Sequence, residues 1–486
     1  MRVAAAIPLS IFMILERIYP KSFGSDLEKC ILMGLKALTW IYLLKTSVAS
    51  LKHRFGTMSM KTGHKKYSPI SLALRKFLSR NEISGISLET EYVSLDKATD
   101  RILAGNIRCP MNIPPFHRST VDGYAILSSN TRNATRNHQV VLNVIGQVSA
   151  GRISSSRISS GKAVAIATGA KLPKGADSVI MIEDVIIEDE GRKIRISDKM
   201  HKGSNITPRG NDVKKGQVLL KEGTWLAAAD IGLIASVGIS VILAYKKVKV
   251  AVLSTGNELA EPGSNLGNAS VFDSNRFMLF SMVRKCGGEP IDLGICGDEK
   301  SLIQTKIMQA LKFDVILISG GSSVGEKDYV PDIINDIGKP GIIIRGVAMK
   351  PGSPTSLAVA NGKPVIVLPG YPVSAFVAFY TFGRALIYKL LKTNGPPVAR
   401  QVAKLTSDVK LHKGMTTFVR VKILRRHGRF LAEPISAAGA SLLSTLAYSD
   451  GIVIAKNNKS VDQREDKLHK GQDIEVMLLK SVYQEA

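Results

Sequence analysis

The chain has 486 residues, of which 45% are hydrophobic and 22% charged. That is a soluble globular composition, too long for one ordinary core, so about three domains are expected. The formal net charge is +26, but no arginine-rich tract, zinc-finger spacing or aromatic-basic RNA signature accompanies it. A polyanionic small substrate is therefore expected rather than nucleic acid.

Residues 1–66 hold eleven Lys/Arg against three Asp/Glu. Two apolar stretches lie there. Val3–Leu15 is too short to span a bilayer, and Ile31–Leu51 is interrupted by Lys36 and Lys45, which are costly at membrane depth. Two readings stand: a membrane-surface helix within residues 1–55, the less favoured, or translation that begins at Met58 or Met60. Residues 1–60 are set apart as an N-terminal extension. Cys30, Cys109, Cys286 and Cys296 form no C-x-x-C pair, so a reduced cytoplasmic protein without a disulfide framework or zinc site is expected.

Residues 67–246 open with helical spacing over Ser68–Arg80. Short β-branched runs follow at Val140–Val148, Lys162–Thr168, Ser178–Ile187 and Lys193–Ile196, read as antiparallel strands. Leu226–Ser236 is predicted helical. Over residues 247–392 strand and helix alternate. Strands are predicted at Val248–Leu253, Pro290–Ile295, Asp314–Ser319, Gly341–Arg345 and Pro364–Leu368. Helices are predicted from the Asp273-Ser274-Asn275 cap to Lys285, over Ser301–Lys312 and over Ser374–Leu391. This rhythm predicts a doubly wound α/β domain with a parallel sheet. After Asn394-Gly395-Pro396-Pro397, residues 398–482 read as a small C-terminal β domain, barrel-like in character.

Chemistry concentrates in loops at the carboxyl edge of the predicted sheet. Ser319-Gly320-Gly321-Ser322-Ser323-Val324-Gly325 follows a buried strand, and backbone N–H groups in such a turn hold phosphate-like anions. Lys350-Pro351-Gly352-Ser353-Pro354 and Leu368-Pro369-Gly370-Tyr371-Pro372-Val373-Ser374 are rigid loops whose Lys350 and Ser374 could face an anion. Glu258, beside Ser254, Thr255 and Gly256, joins Asp298 and Asp328 as acids suited to a hydrated Mg²⁺ that bridges a phosphate. Two further dense strings, Ile113–Ala125 and Ala167–Asp177, are too rich in special-conformation residues to be connectors, but pattern alone does not name their ligand.

Taken together, these strings resemble the molybdopterin molybdenumtransferase family, bacterial MoeA and the E domain of gephyrin, from Tyr67 to Leu479. P-x-F-x-x-S-x-x-D-G-Y-A matches Pro114–Ala125, and T-G-A-x-L-P-x-G-A-D matches Thr168–Asp177. S-T-G-[DN]-E-L matches Ser254–Leu259, G-G-x-S-x-G-x-x-D matches Gly320–Asp328, K-P-G matches Lys350–Gly352 and L-P-G-x-P-V-S matches Leu368–Ser374. The resemblance implies an elongated homodimer with its active site in a cleft completed by the partner's N-terminal region. It implies insertion of molybdate or tungstate into adenylylated molybdopterin, with Mg²⁺-dependent cleavage and release of AMP. Asp298 and Asp328 would support the metal, Asp122, Thr168 and Glu258 would shape the cleft, and Lys350 and Ser374 would bind oxyanion or pterin. Arg420 and Ser441 would correspond to an oxyanion-binding pair of the C-terminal domain.

The chain departs from the family pattern in four places. Ser353 replaces a second lysine, Thr207-Pro208-Arg209 replaces a run of arginines, Asn257 stands where aspartate is common, and Tyr371 replaces asparagine as in archaeal-type members. The lost lysine puts selectivity between molybdate and tungstate in question. Competing readings are a molybdopterin adenylyltransferase or nucleotide pyrophosphatase on the same α/β domain, and a non-catalytic scaffold.

Overall fold

The computed structural model describes residues 67–320, 329–435, 439–456 and 467–481. The extension at residues 1–60, and Gly321, Ser323, Gly325 and Asp328, lie outside the described residues.

A six-stranded sheet organises the centre of the chain. Its strands are β1 (Val248–Thr255), β2 (Gly288–Cys296), β3 (Val315–Ser319), β4 (Gly341–Arg345), β5 (Ser356–Ala360) and β6 (Lys363–Leu368), in the spatial order β2-β1-β3-β6-β5-β4. β2, β1, β3 and β6 are parallel neighbours. β5 runs against both β6 and β4, so the expected all-parallel sheet is in fact mixed. The strand-helix alternation did not show this, because β5 and β6 are joined by a hairpin loop at Asn361-Gly362 with no helix between them. One consequence matters for the site. With β5 reversed, the connection from β4 to β5 that carries Lys350 returns to the same carboxyl edge as the ends of β1, β3 and β6.

Both faces of the sheet are covered, which explains why its strands read as unbroken β-branched runs. Val250, Val252, Leu317 and Ile366 pack beneath α1 (Asn275–Lys285) and the helix that starts at Pro372. Ala251, Leu253, Ile316 and Val367 pack against α2 (Lys300–Ala310) and α3 (Val330–Ile337). The helix expected from Ser374 runs through Pro372–Ala378, a π-helical turn at Phe379–Gly383, and Arg384–Leu390. Phe379 and Phe382 are both fully buried at that turn. The N-terminal helix Ile70–Leu78, shorter than the sequence suggests, sends Ala73 and Phe77 into this same core.

The β-rich N-terminal region builds a second six-stranded sheet from Gly123–Ile126, Val140–Val148, Lys162–Ile166, Ser178–Met181, Val185–Glu188 and Lys193–Ile196. Val140–Val148 pairs with Lys162–Ile166 in parallel, not antiparallel as expected. The segment Ser178–Ile187 is broken by a 3₁₀ turn at Ile182–Asp184. This sheet has its own two cores, drawn wholly from residues between Val121 and Ile206. In the C-terminal region, Thr416–Arg426, Arg429–Pro434, Arg400–Leu405, Asp473–Leu478 and Gly451–Lys456 close into a five-stranded barrel. Met349–Lys350 adds to it in parallel, with Lys350 opposite Thr417.

Leu317 is fully buried at the centre of β3. Leu317→Ala is expected to cost about 2–5 kcal/mol, read as a lowered urea midpoint with the slope unchanged.

Candidate functional site

The carboxyl edge gathers most of the described residues expected to bind ligand. At the end of β1, Ser254 and Thr255 are buried and their hydroxyls have no hydrogen-bond partner. Their side chains therefore line the inside of the edge rather than its surface. Gly320 follows β3 with φ of 105°, and a Cβ there would lie 2.3 Å from the Thr255 carbonyl oxygen. Only glycine permits that approach.

Glu258 is exposed in the loop after β1. Its neighbour Asn257 is bound reciprocally to the loop after β2. The Asn257 N–H donates to Asp298 Oδ2 at 3.3 Å, and the Asp298 N–H donates to Asn257 Oδ1 at 3.0 Å. An aspartate at 257 would set a second carboxylate against Asp298, so the asparagine removes a like-charge contact.

Lys350 ends the short strand Met349–Lys350, and Ser374 lies in the first turn of the Pro372–Ala378 helix. Arg420 lies within the barrel strand Thr416–Arg426, and Ser441 follows Ala440 in a loop that touches that helix. Gly352 packs on Met349 and lies near the Ser374 carbonyl. The Val373 N–H, in the first turn of its helix, donates to Ala440 O at 3.1 Å. Pro369 is buried and Pro372 occupies the first helical turn, where its missing N–H is harmless. Arg420 Nη1 donates to Thr445 Oγ1 at 2.6 Å and to Gly439 O at 3.4 Å, and burial pulls the guanidinium below its ordinary pKa. Ser441 itself is exposed. The barrel thus delivers Arg420 and Ser441 beside the Ser374 helix.

Asp122 and Thr168 are not part of this group. They meet each other, with the Thr168 N–H donating to Asp122 Oδ1 at 2.8 Å, at the edge of the second sheet, whose cores share no residue with the α/β core. The segment with Gly321, Ser323, Gly325 and Asp328 lies outside the described residues. Among the described residues no group of three His, Cys, Asp or Glu side chains could hold a metal by itself.

Two residues that the sequence reading treated only as a helix start prove central. Asn275 is 7% exposed, and its Nδ2 donates to Ser319 Oγ at 2.8 Å and Gly370 O at 2.7 Å. It ties the ends of β3 and β6 together. Arg276 is 3% exposed. It bonds to Glu261, to Asp292 at 2.7 Å and to Asp273 at 3.2 Å, which anchors the loop carrying Glu258 to β2 and to α1. An arginine immediately before the apolar stretch Phe277–Phe280 of a core-facing helix was the available signal.

The comparisons follow this layout. Residues 69–238 match the MoeA N-terminal region (domains I and II), 251–389 a probable molybdopterin binding domain and 402–479 the MoeA C-terminal region (domain IV). The chain belongs to the molybdopterin molybdenumtransferase (MoeA) family. The molybdopterin molybdenumtransferase of Haemophilus influenzae is 34% identical over 376 residues, covering 76% of this chain and 91% of the relative. That of Bacillus subtilis is 32% identical over 369 residues, 75% and 86% respectively. The crystal structure of the molybdopterin biosynthesis MoeA protein from Pyrococcus horikoshii OT3 superposes with a TM-score of 0.72 at 30% identity, covering 85% of this chain and all of that one.

Arg276→Met leaves the buried Asp273 without its counter-charge and is expected to cost about 3 kcal/mol or more in urea unfolding. Asn275→Ala, which removes two neutral hydrogen bonds, is expected to cost about 1–3 kcal/mol.

Proposed function

We propose that this chain inserts molybdate, or tungstate, into adenylylated molybdopterin, with Mg²⁺-assisted cleavage and release of AMP. Family membership carries the coarser part, an enzyme of molybdenum-cofactor biosynthesis. The finer reading rests on one observation: the Gly320, Lys350 and Pro369–Ser374 loops share the carboxyl edge with Asp298, and the barrel brings Arg420 and Ser441 to it.

The donor set suits Mg²⁺, which takes one or two carboxylates, keeps several waters and completes its shell with substrate phosphate. Asp298, with Asp328 by its place in the motif, would hold the ion, and the ion would neutralise charge on the phosphoanhydride oxygens. Backbone N–H groups of the glycine motif that begins at Gly320, whose own N–H is taken by Leu368 O at 3.1 Å, and of Gly370 would orient the phosphate on the pterin side of that anhydride. Lys350 and Arg420 would hold the oxyanion beside the pterin by charge-assisted hydrogen bonds. Ser353 leaves one cation fewer there, which weakens oxyanion affinity and opens selectivity between molybdate and tungstate.

The family motifs assign Asp122 and Thr168 to the same cleft, and because they lie on a separate sheet a second copy would supply them; a homodimer is part of this proposal. Among the described residues no helix is long and apolar enough to cross a membrane, and a cytoplasmic site of action is part of this proposal.

Purified protein with adenylylated molybdopterin, Mg²⁺ and molybdate or tungstate is expected to release AMP only when oxyanion is present. Asp298→Asn and Asp328→Asn should each slow release about 100-fold. Release indifferent to oxyanion would instead establish a pyrophosphatase, and bound pterin without release a carrier.

A further inference from the structure

A second charged face lies away from the carboxyl edge, beside Asp122 and Thr168. Three short segments are knitted together there. Arg118–Ser119 pairs antiparallel with Ile206–Thr207, placing Arg118 opposite Thr207. On its other side Arg118 stands directly opposite Lys171 in an antiparallel bridge. Backbone bonds Gly169 N–H to Ser119 O at 2.9 Å and Leu172 N–H to His117 O at 2.8 Å lock this pairing.

Directly opposed residues project from the same face of a ladder, as do residues two apart on one strand. Phe116, Arg118 and Lys171 therefore share a face, and the Lys171 ammonium sits 5.9 Å from the Phe116 ring centre. Arg209 follows the paired segment, and its N–H donates to His117 Nδ1 at 3.3 Å.

Like charges directly opposed across strands are destabilising. Elsewhere Arg80, Arg101 and Arg195 lie against Glu82, Glu91 and Glu188. Arg118, Lys171 and Arg209 are exposed and form no ion pair among the described residues. Asp122, the nearby acid, is engaged by the Thr168 N–H. Arg118 and Lys171 also fall at positions that the motifs P-x-F-x-x-S and T-G-A-x-L-P leave open, so the loop geometry does not require them.

We propose that Arg118 and Lys171 form a binding face for the phosphate groups of a nucleotide, with Phe116 as its apolar floor. This deepens the proposed function and rests on it: the anion is the nucleotide end of the adenylylated substrate. Two cations held opposite one another on a rigid ladder match a phosphate, and the arginine can engage it bidentately.

The test is calorimetric titration of the full chain with AMP and with inorganic pyrophosphate. Arg118→Ala/Lys171→Ala should weaken both at least tenfold, with wild-type affinity falling as salt rises. The charge-preserving swap Arg118→Lys/Lys171→Arg should weaken binding less than the alanine pair does, and Lys214→Ala/Lys215→Ala should have no effect. The alanine pair should melt no lower than wild type, because it relieves repulsion. Equal binding by wild type and the alanine pair overturns the proposal, as does equal weakening in the Lys214/Lys215 control. If wild type binds AMP through this face yet releases none from adenylylated molybdopterin, the transferase reading fails alone. Oxyanion-dependent release with an unchanged KM in the alanine pair overturns the binding face alone.

Discussion

Both N–H bonds of the Asn275 amide are spent on joining two strand ends that would otherwise be independent loops. The site's geometry depends on this. Ser319 ends β3 and Gly370 follows β6, so one side chain sets the spacing between the glycine turn and the Pro369–Ser374 loop. The next residue extends the same control. Arg276, surrounded by Glu261, Asp292 and Asp273, holds the Glu258 loop and β2 against the helix that carries Asn275. A single helical turn therefore ties the loops after β1, β3 and β6 to one another and to β2, and the buried Asn275, Arg276 and Asp273 make the loss of those contacts costly.

Charge is distributed differently on the two sides of the presumptive chemistry. The carboxyl edge mixes acids with a few cations, Glu258 and Asp298 on one side and Lys350 and Arg420 on the other. The face around Arg118 is cationic and held on a separate sheet with its own cores. The two groups of charged side chains therefore sit on separately packed sheets of one chain.

Much of this was legible in the sequence. The β-branched runs at 248–255 and 315–319 and the cap at Asp273 announced the α/β domain, and the glycine and proline strings marked its edge loops. What misled was topology. Ser356–Ala360 was not read as a strand, and the Asn361-Gly362 pair that joins it to β6 as a two-residue hairpin loop was the local signal that it runs backwards. The parallel pairing of Val140–Val148 with Lys162–Ile166 carried no such signal. Asn275 and Arg276 were read as a helix start because their partners, Ser319, Gly370 and Asp292, are 16 to 95 residues away.

The sequence by itself determined the layers and the loop chemistry, because burial on both faces dictates apolar runs and tight turns dictate glycine and proline. It determined the family as well, since motif order survives without knowledge of the fold. Only the tertiary structure decided that β5 runs backwards, that the barrel adds Arg420 to the working edge, and that Arg118 faces Lys171. Each of these is a pairing between distant segments, and register across strands is set by packing of the whole rather than by the residues of either strand.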